Sequence, residues 1–271
     1  MTRDRPDAAR VALIGASGWL GQFIGPAMLR RGVTTPERFT AINRSGPSAA
    51  YDGLGAIPWA ATLADLPTPP EVVILSLRAH DFRAGRFECP DALVISLMAG
   101  VTVGEIEART GSARIIRALP NALAEIAQSY TPWLASAAVD AADRALCRAI
   151  FRGVGREAEV PDEAALDVLT TLSGAGPAFA ALLARALVRA GQRAGLSETV
   201  AQGAAENMVC GAAHLMAGRI ESAPEIVQSF VAYDGVIAAA LRAAEDTGFD
   251  AAIEAAVEAG LARVHAMTAE D

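Results

Sequence analysis

Short, unbroken apolar runs alternate with helix-periodic or turn-rich stretches as far as Pro161, and beyond it only helical periodicity remains. Val11-Ala12-Leu13-Ile14 is the first such run, of the kind a strand buried on both faces requires. Further strands are expected at 39–43, 72–77, 93–97, 114–119 and 132–136. Strands alternating with helices in this way predict a mostly parallel, doubly wound α/β sheet. From Asp162 to Met267 no convincing strand is found, so the texture changes near 153–161. Two domains follow, residues 1–158 built on the sheet and 159–271 wholly helical.

The helical half opens on Leu172-Ser173-Gly174-Ala175-Gly176-Pro177-Ala178-Phe179. Two glycines and a proline between helical stretches turn the backbone without side chains in the way, and Pro177 suits the first turn of the next helix. Leu182, Leu183, Ala186, Leu187, Ala190 and Ala194 keep helical spacing after it, while Gly195, Ser197 as N-cap and Pro224 divide the remainder into several helices. Apolar and alanine positions occur on more than one face of these helices, which must then be buried on several sides. About 110 residues cannot easily do that alone. An obligate homodimer with interleaved C-terminal helices is expected, with a higher oligomer open and a compact single-chain bundle as the alternative.

Composition narrows the partners. With 271 residues, 52% of them hydrophobic, the chain can bury a core in each domain. A net charge of −8 argues against nucleic acid, which favours a basic face, and points to a small metabolite. Met1-Thr2-Arg3-Asp4-Arg5-Pro6 carries no signal-peptide core, and no apolar run nears a membrane span of ~20 residues, so a soluble cytoplasmic protein without a membrane partner is expected. Cys89, Cys147 and Cys210 are scattered, and His80, His214 and His265 form no ligand spacing; no metal is expected. All 23 basic residues are arginine. Chemistry that depends on an obligatory lysine is thereby excluded.

Directly after the first strand the chain reads Gly15-Ala16-Ser17-Gly18-Trp19-Leu20-Gly21 and enters a helix-like stretch to Arg31. Free N–H groups and the dipole at that helix start suit a phosphate, and the Gly-x-x-Gly-x-x-Gly spacing lets a pyrophosphate approach. Gly15, Ser17, Gly18, Trp19 and Leu20 are the candidate cofactor-loop residues, though Trp19, like Phe179, also reads as a packing residue. The second strand ends Ile42-Asn43-Arg44-Ser45 with no carboxylate, and Arg44 with Ser45 suits a 2′-phosphate, so NADPH is favoured over NADH. Short-chain dehydrogenases share the glycine spacing, but their Tyr-x-x-x-Lys pair cannot be built here. β-Hydroxyacid dehydrogenases and ketopantoate-type reductases are set aside on the same ground.

Arg117-Ala118-Leu119-Pro120-Asn121-Ala122 resembles the Arg-x-Met-Pro-Asn-Thr segment of pyrroline-5-carboxylate reductases, and 172–179 is similar to that family's Ser-Gly-Ser-Gly-Pro-Ala-Tyr. Ile42-Asn43-Arg44-Ser45 resembles its NADPH-selecting turn, and Ser96-Leu97-Met98-Ala99-Gly100-Val101 its strand followed by Ala-Gly-Val. Order and spacing match over nearly the whole chain. The resemblance implies a Rossmann domain, a helical dimerisation domain and NADPH-dependent reduction of 1-pyrroline-5-carboxylate to L-proline. It adds Asn43, Leu77, Arg78 and Ala99 to the cofactor residues. A protonated cyclic imine accepts hydride without an enzymic lysine, so alignment and electrostatics carry the catalysis, and no catalytic side chain is assigned.

Two segments depart from the family pattern. Where the family has a Ser-Pro-Gly-Gly-Thr-Thr-type loop for the substrate carboxylate and ring nitrogen, this chain reads Ala232-Tyr233-Asp234-Gly235-Val236-Ile237, one residue shorter. Each hydroxyl lost from a polar substrate's partners costs ~1–3 kcal/mol. Either Tyr233, Asp234, Gly235 and Val236 read a different imine, with Asp234 drawing the cationic nitrogen, or the loop is a structural turn in a non-catalytic NADPH-binding dimer. The other departure is Leu77-Arg78-Ala79-His80, where the family tends to Val-Lys-Pro-Gln: Arg78 keeps the charge, and His80 either faces the cofactor cleft or is simply exposed. Asn121 is open between touching nicotinamide or substrate and capping a helix, and Ser173 between a substrate bond and a cap.

Overall fold

The computed structural model describes residues 9–269; the opening segment Met1 to Pro6 lies outside the described residues. Its centre is an eight-stranded sheet of order β3-β2-β1-β4-β5-β6-β7-β8. The strands are β1 (Val11–Ile14), β2 (Phe39–Ile42), β3 (Trp59–Ala60), β4 (Val72–Leu75), β5 (Leu93–Ser96), β6 (Ile115–Ala118), β7 (Ser129–Ala135) and β8 (Gly155–Glu159). All neighbours run parallel except β6 and β7.

The apolar runs earn their burial by splitting between two faces with a period of two. Val11, Leu13, Val72, Ile74, Leu93 and Ile95 pack on one face with Ile24 and Met28 of α1 (Gly21–Arg30). Ala12, Ile14, Val73, Leu75 and Val94 pack on the other with Phe82 of α2 (Ala79–Ala84) and Ile106 of α3 (Val103–Thr110). On the first face α4 (Ala141–Arg152) adds Cys147, Ile150 and Phe151 beside Trp133. Burial pushes the Cys89 thiol up to about 12 and Cys147 well up too, so both are inert packing groups.

Two strands escape the apolar pattern. β8 reads Gly-Arg-Glu-Ala-Glu and falls inside 153–161, where the sequence suggests a domain boundary. It is an edge strand held by backbone pairing to β7, and its carboxylates are held from one side: Glu157 by the Trp133 indole at 2.9 Å, Glu159 by Arg144 and Arg148. Charged edges of this kind protect a sheet from foreign strands. β3 is only two residues long.

The described residues form two compact units, 9–176 with 260–269, and 177–259. The division thus falls later than the boundary expected at 158–159, because α5 (Glu163–Leu172) buries Leu166 beside Leu119 and Leu134 of the sheet unit. The last helix, α11 (Phe249–Ala269), ends in that unit too. There Gly260 crosses α5 so closely that a Cβ would sit 2.4 Å from the Thr171 hydroxyl oxygen.

The second unit holds α6 (Ala178–Arg193), α7 (Glu198–Glu206), α8 (Ala212–Met216), α9 (Ala223–Tyr233), α10 (Val236–Asp246) and the start of α11. Ser197 caps α7 by accepting from the Val200 N–H, and Gly195 takes the left-handed φ of +91° just before it, as the sequence suggests. Buried side chains here are few, chiefly Ala201, Ala205 and Ala238. Leu182, Val200, Leu215, Ile220, Phe230 and Ile237 stay exposed, which fits the expectation of helices apolar on more than one face.

Candidate functional site

β1 pairs with β2 on one side and β4 on the other, so strand order reverses at its C-terminal end. Ligands of doubly wound sheets bind at such a switch point. The glycine turn lies there. Gly15 has φ +79°, and a Cβ on it would meet the Ser76 carbonyl oxygen at 2.1 Å; one on Gly21 would meet the Gly15 oxygen at 2.2 Å. Only glycine lets this turn lie flat against the end of β4.

Leu20, the N-cap of α1, supplies no capping side chain. The amides of Ser17, Trp19 and Leu20 take no backbone acceptor among the described residues. An anion at this helix start would satisfy them and meet the positive end of the dipole. The side-chain amide of Asn43 ties the two turns together, donating to the Ser17 hydroxyl, to the Ser45 hydroxyl at 2.5 Å and to the Gly46 carbonyl at 3.4 Å.

A cleft of about 340 Å³ opens at this edge, lined by Gly15, Asn43, Arg44 and Leu77 together with Thr62, Asp81, Arg86 and Phe87. The Arg44 side chain is 88% exposed, with one guanidinium nitrogen 3.5 Å from an Asp81 oxygen. Sequence reasoning missed Thr62 after β3, Asp81 in the first turn of α2, and Arg86 and Phe87 just past its end, none of which carries a motif. A second cleft of about 350 Å³ collects Leu77, Arg78, His80, Met98 and Ala99 with Arg263 and Met267 of α11. His80 is 73% exposed and 3.5 Å from Asp81, so it is both exposed and at a cleft wall.

Trp19 lines neither cleft and is 65% exposed, which corrects its reading as a packing residue: it projects from a turn with no core beside it. Leu20 instead packs partly onto the core, and Phe179 is half-buried.

Asn121 is buried, and all its bonds are internal. Its side-chain oxygen accepts from the Leu123 N–H at 3.0 Å, its side-chain amide donates to the Ser173 carbonyl at 2.8 Å, and its backbone N–H donates to the Ser129 hydroxyl at 3.0 Å. Of the two roles open in sequence, the cap is the one occupied here. The Ser173 hydroxyl likewise donates to the Leu169 carbonyl at 2.9 Å, at the C-terminal cap of α5. Gly176 takes the left-handed φ of +53°, where an added Cβ would make only ordinary contact, 3.6 Å, with the Asn121 Cβ; the close approach in the octet is at Gly174, where a Cβ would lie 2.0 Å from the Thr170 carbonyl oxygen.

In the second unit, Asp234 ends α9 in the left-handed conformation, φ +52°, and accepts from Arg242 at 2.8 Å. Gly235 begins α10, and Tyr233 and Val236 are each 86% exposed. The described residues contain no group of histidine, cysteine and carboxylate side chains fit to hold a metal ion. No helix among them is long and apolar enough to cross a membrane.

A doubly wound sheet with a glycine turn at its switch point and open amides at the first helix defines a Rossmann-type dinucleotide-binding fold. Residues 163–267 match the family model described as pyrroline-5-carboxylate reductase dimerisation. The chain belongs to the pyrroline-5-carboxylate reductase family: it is 30% identical over 261 residues to the pyrroline-5-carboxylate reductase of Thermus thermophilus, covering 94% of this chain and 97% of that one. The structure of a pyrroline-5-carboxylate reductase from Coxiella burnetii is similar with a TM-score of 0.83 at 26% identity, over 97% of this chain and 99% of the other. A Plasmodium falciparum pyrroline carboxylate reductase with NADP bound shares the fold with a TM-score of 0.80 at 19% identity, over 97% and 99% of the two chains.

Proposed function

We propose that the chain is an NADPH-dependent imine reductase that converts 1-pyrroline-5-carboxylate to L-proline, with NADH a weaker alternative donor. The observation that carries this reading is the convergence, at one sheet edge of a family member, of a glycine turn with open amides and an Asn43-Arg44-Ser45 turn without a carboxylate. When bound, NADPH supplies a hydride. The Ser17, Trp19 and Leu20 amides would hold its pyrophosphate, Arg44 and Ser45 its 2′-phosphate, and Leu77, Arg78 and Ala99, which line the second cleft, would face its nicotinamide half. A cyclic iminium receives the new C–H bond at its ring carbon while the C=N electrons settle on nitrogen. No lysine acid is needed, and this chain has none.

The exposed apolar side chains of the second unit support a homodimer built on the dimerisation segment, obligate because the unit buries so little alone. One observation favours a second reading, in which a related cyclic imino acid is the substrate: 232–237 lacks serine and threonine, and its one carboxylate is taken up by Arg242. That reading predicts a higher kcat/KM on another cyclic imino acid than on 1-pyrroline-5-carboxylate.

Arg44→Asp tests the cofactor assignment. A charge-assisted bond to the 2′-phosphate is replaced by repulsion, so the Kd for NADPH should rise about tenfold or more while that for NADH moves little. Equal loss for both cofactors, measured by titration, would contradict the role given to Arg44.

A further inference from the structure

Two carbonyls of the glycine turn meet a buried phenol. The hydroxyl of Tyr51, a residue only 4% exposed, lies 2.9 Å from the Gly21 carbonyl oxygen and 3.2 Å from that of Ala16. Its ring stacks on Phe39 at 5.9 Å between centroids and meets Trp59 edge-on at 5.3 Å, which fixes where the hydroxyl sits. Gly25 leaves the room: a Cβ there would be 2.1 Å from the Tyr51 oxygen. Burial raises the phenol's pKa, so it stays protonated and able to donate.

The carbonyl and N–H of one trans peptide point in opposite directions. The phenol's one proton is shared between the two carbonyls: holding that of Ala16 inward turns the Ser17 N–H outward, and the nearer contact, to Gly21, fixes the first turn of α1, whose Gln22 N–H is already bonded to Gly18 at 3.0 Å. We infer that the Tyr51 hydroxyl is a positioning group for dinucleotide binding, which pre-organises the glycine turn so that its free amides face the pyrophosphate. The inference rests on the dinucleotide reading given above. It assigns to the pyrophosphate half of the site a residue that lies 30 positions from Gly21 and touches no cleft. Pre-organisation is what such a bond contributes: amides already aimed need no reordering when the anion arrives.

Tyr51→Phe removes only the hydroxyl and leaves the ring stacked. Loss of one neutral hydrogen bond should weaken NADPH and NADH in parallel, by about three- to tenfold in Kd. Adenosine 2′-monophosphate, which lacks the pyrophosphate, should bind within about twofold of its native affinity, since no pyrophosphate contact is at stake. Gly25→Ala, which displaces the phenol, should reproduce the pattern. Unchanged NADPH and NADH affinity in Tyr51→Phe would overturn the inference, as would an equal loss for adenosine 2′-monophosphate, which a general loosening of the domain would produce. Arg44→Asp separates the layers: it should weaken NADPH and adenosine 2′-monophosphate but spare NADH. If it fails to do so while Tyr51→Phe still weakens both dinucleotides, the 2′-phosphate reading falls and the Tyr51 role stands. Native protein that binds neither dinucleotide overturns both.

Discussion

Gly15→Ala should abolish dinucleotide binding, raising the Kd for NADPH and NADH alike by about a hundredfold or more, as a displacement of ~1 Å at a positioned group does. The reason is a collision with backbone. The new Cβ would lie 2.1 Å from the Ser76 carbonyl oxygen and 3.0 Å from its carbon, and Ser76 cannot retreat without breaking its own N–H bond to the Ile14 carbonyl at 2.9 Å. The turn must move, and the start of α1 moves with it. Gly32→Ala is the control: it has a similar φ of +67° but nothing within 4 Å of its added Cβ. It should cost about 1–2 kcal/mol of stability from the left-handed backbone alone and leave binding intact. Titration of both variants with NADPH separates collision from strain, and a Gly15→Ala protein that binds within tenfold of native would refute the packing argument.

Arg117→Ala should be among the most destabilising single changes in the sheet unit, costing about 3–5 kcal/mol in denaturant unfolding. Arg117 is 2% exposed on β6; it donates to Glu163 at the start of α5 and lies 3.5 Å from Asp167 one turn later. Glu163 also accepts from the Val103 N–H at 2.9 Å, so one carboxylate joins β6, α3 and α5. Cutting the arginine away leaves Asp167, only 15% exposed, without its cation. The contrast is Arg10→Ala: its guanidinium lies 4.0 Å from Glu71 with both side chains exposed, 44% and 40%, and an exposed pair of that kind contributes under about 1 kcal/mol. If the two variants lose similar stability, Arg117 is not the anchor of α5.

What could be read from the chain follows from where each signal is stored. β1, β4 and β5 are buried on both faces, so their apolar runs stand out; β8, an edge strand of glycine, arginine and glutamate, is specified by backbone pairing to β7 and by partners on β7 and α4. The glycine turn is legible because three glycines at fixed spacing answer a local steric demand. Tyr51, Asp81 and Arg86 leave no local trace, since each acquires its place only when the strands bring separate segments together. Arg117 stands in the segment that carried the family resemblance, yet its partner lies 46 residues away, and its structural role is visible only once α5 folds onto the sheet. Asn121 shows the converse: a residue at a strand end that suits a ligand spends its groups on Leu123, Ser173 and Ser129.

The central claim is that this scaffold reduces a cyclic imine with NADPH. The most direct measurement follows NADPH oxidation by the purified protein with 1-pyrroline-5-carboxylate, and with a panel of other five- and six-membered cyclic imines, while quantifying the amine formed. The account predicts saturable oxidation with one L-proline formed per NADPH consumed, slower with NADH. Tight NADPH binding with no reduction of any imine in the panel would contradict it and leave a cofactor-binding dimer in place of an enzyme.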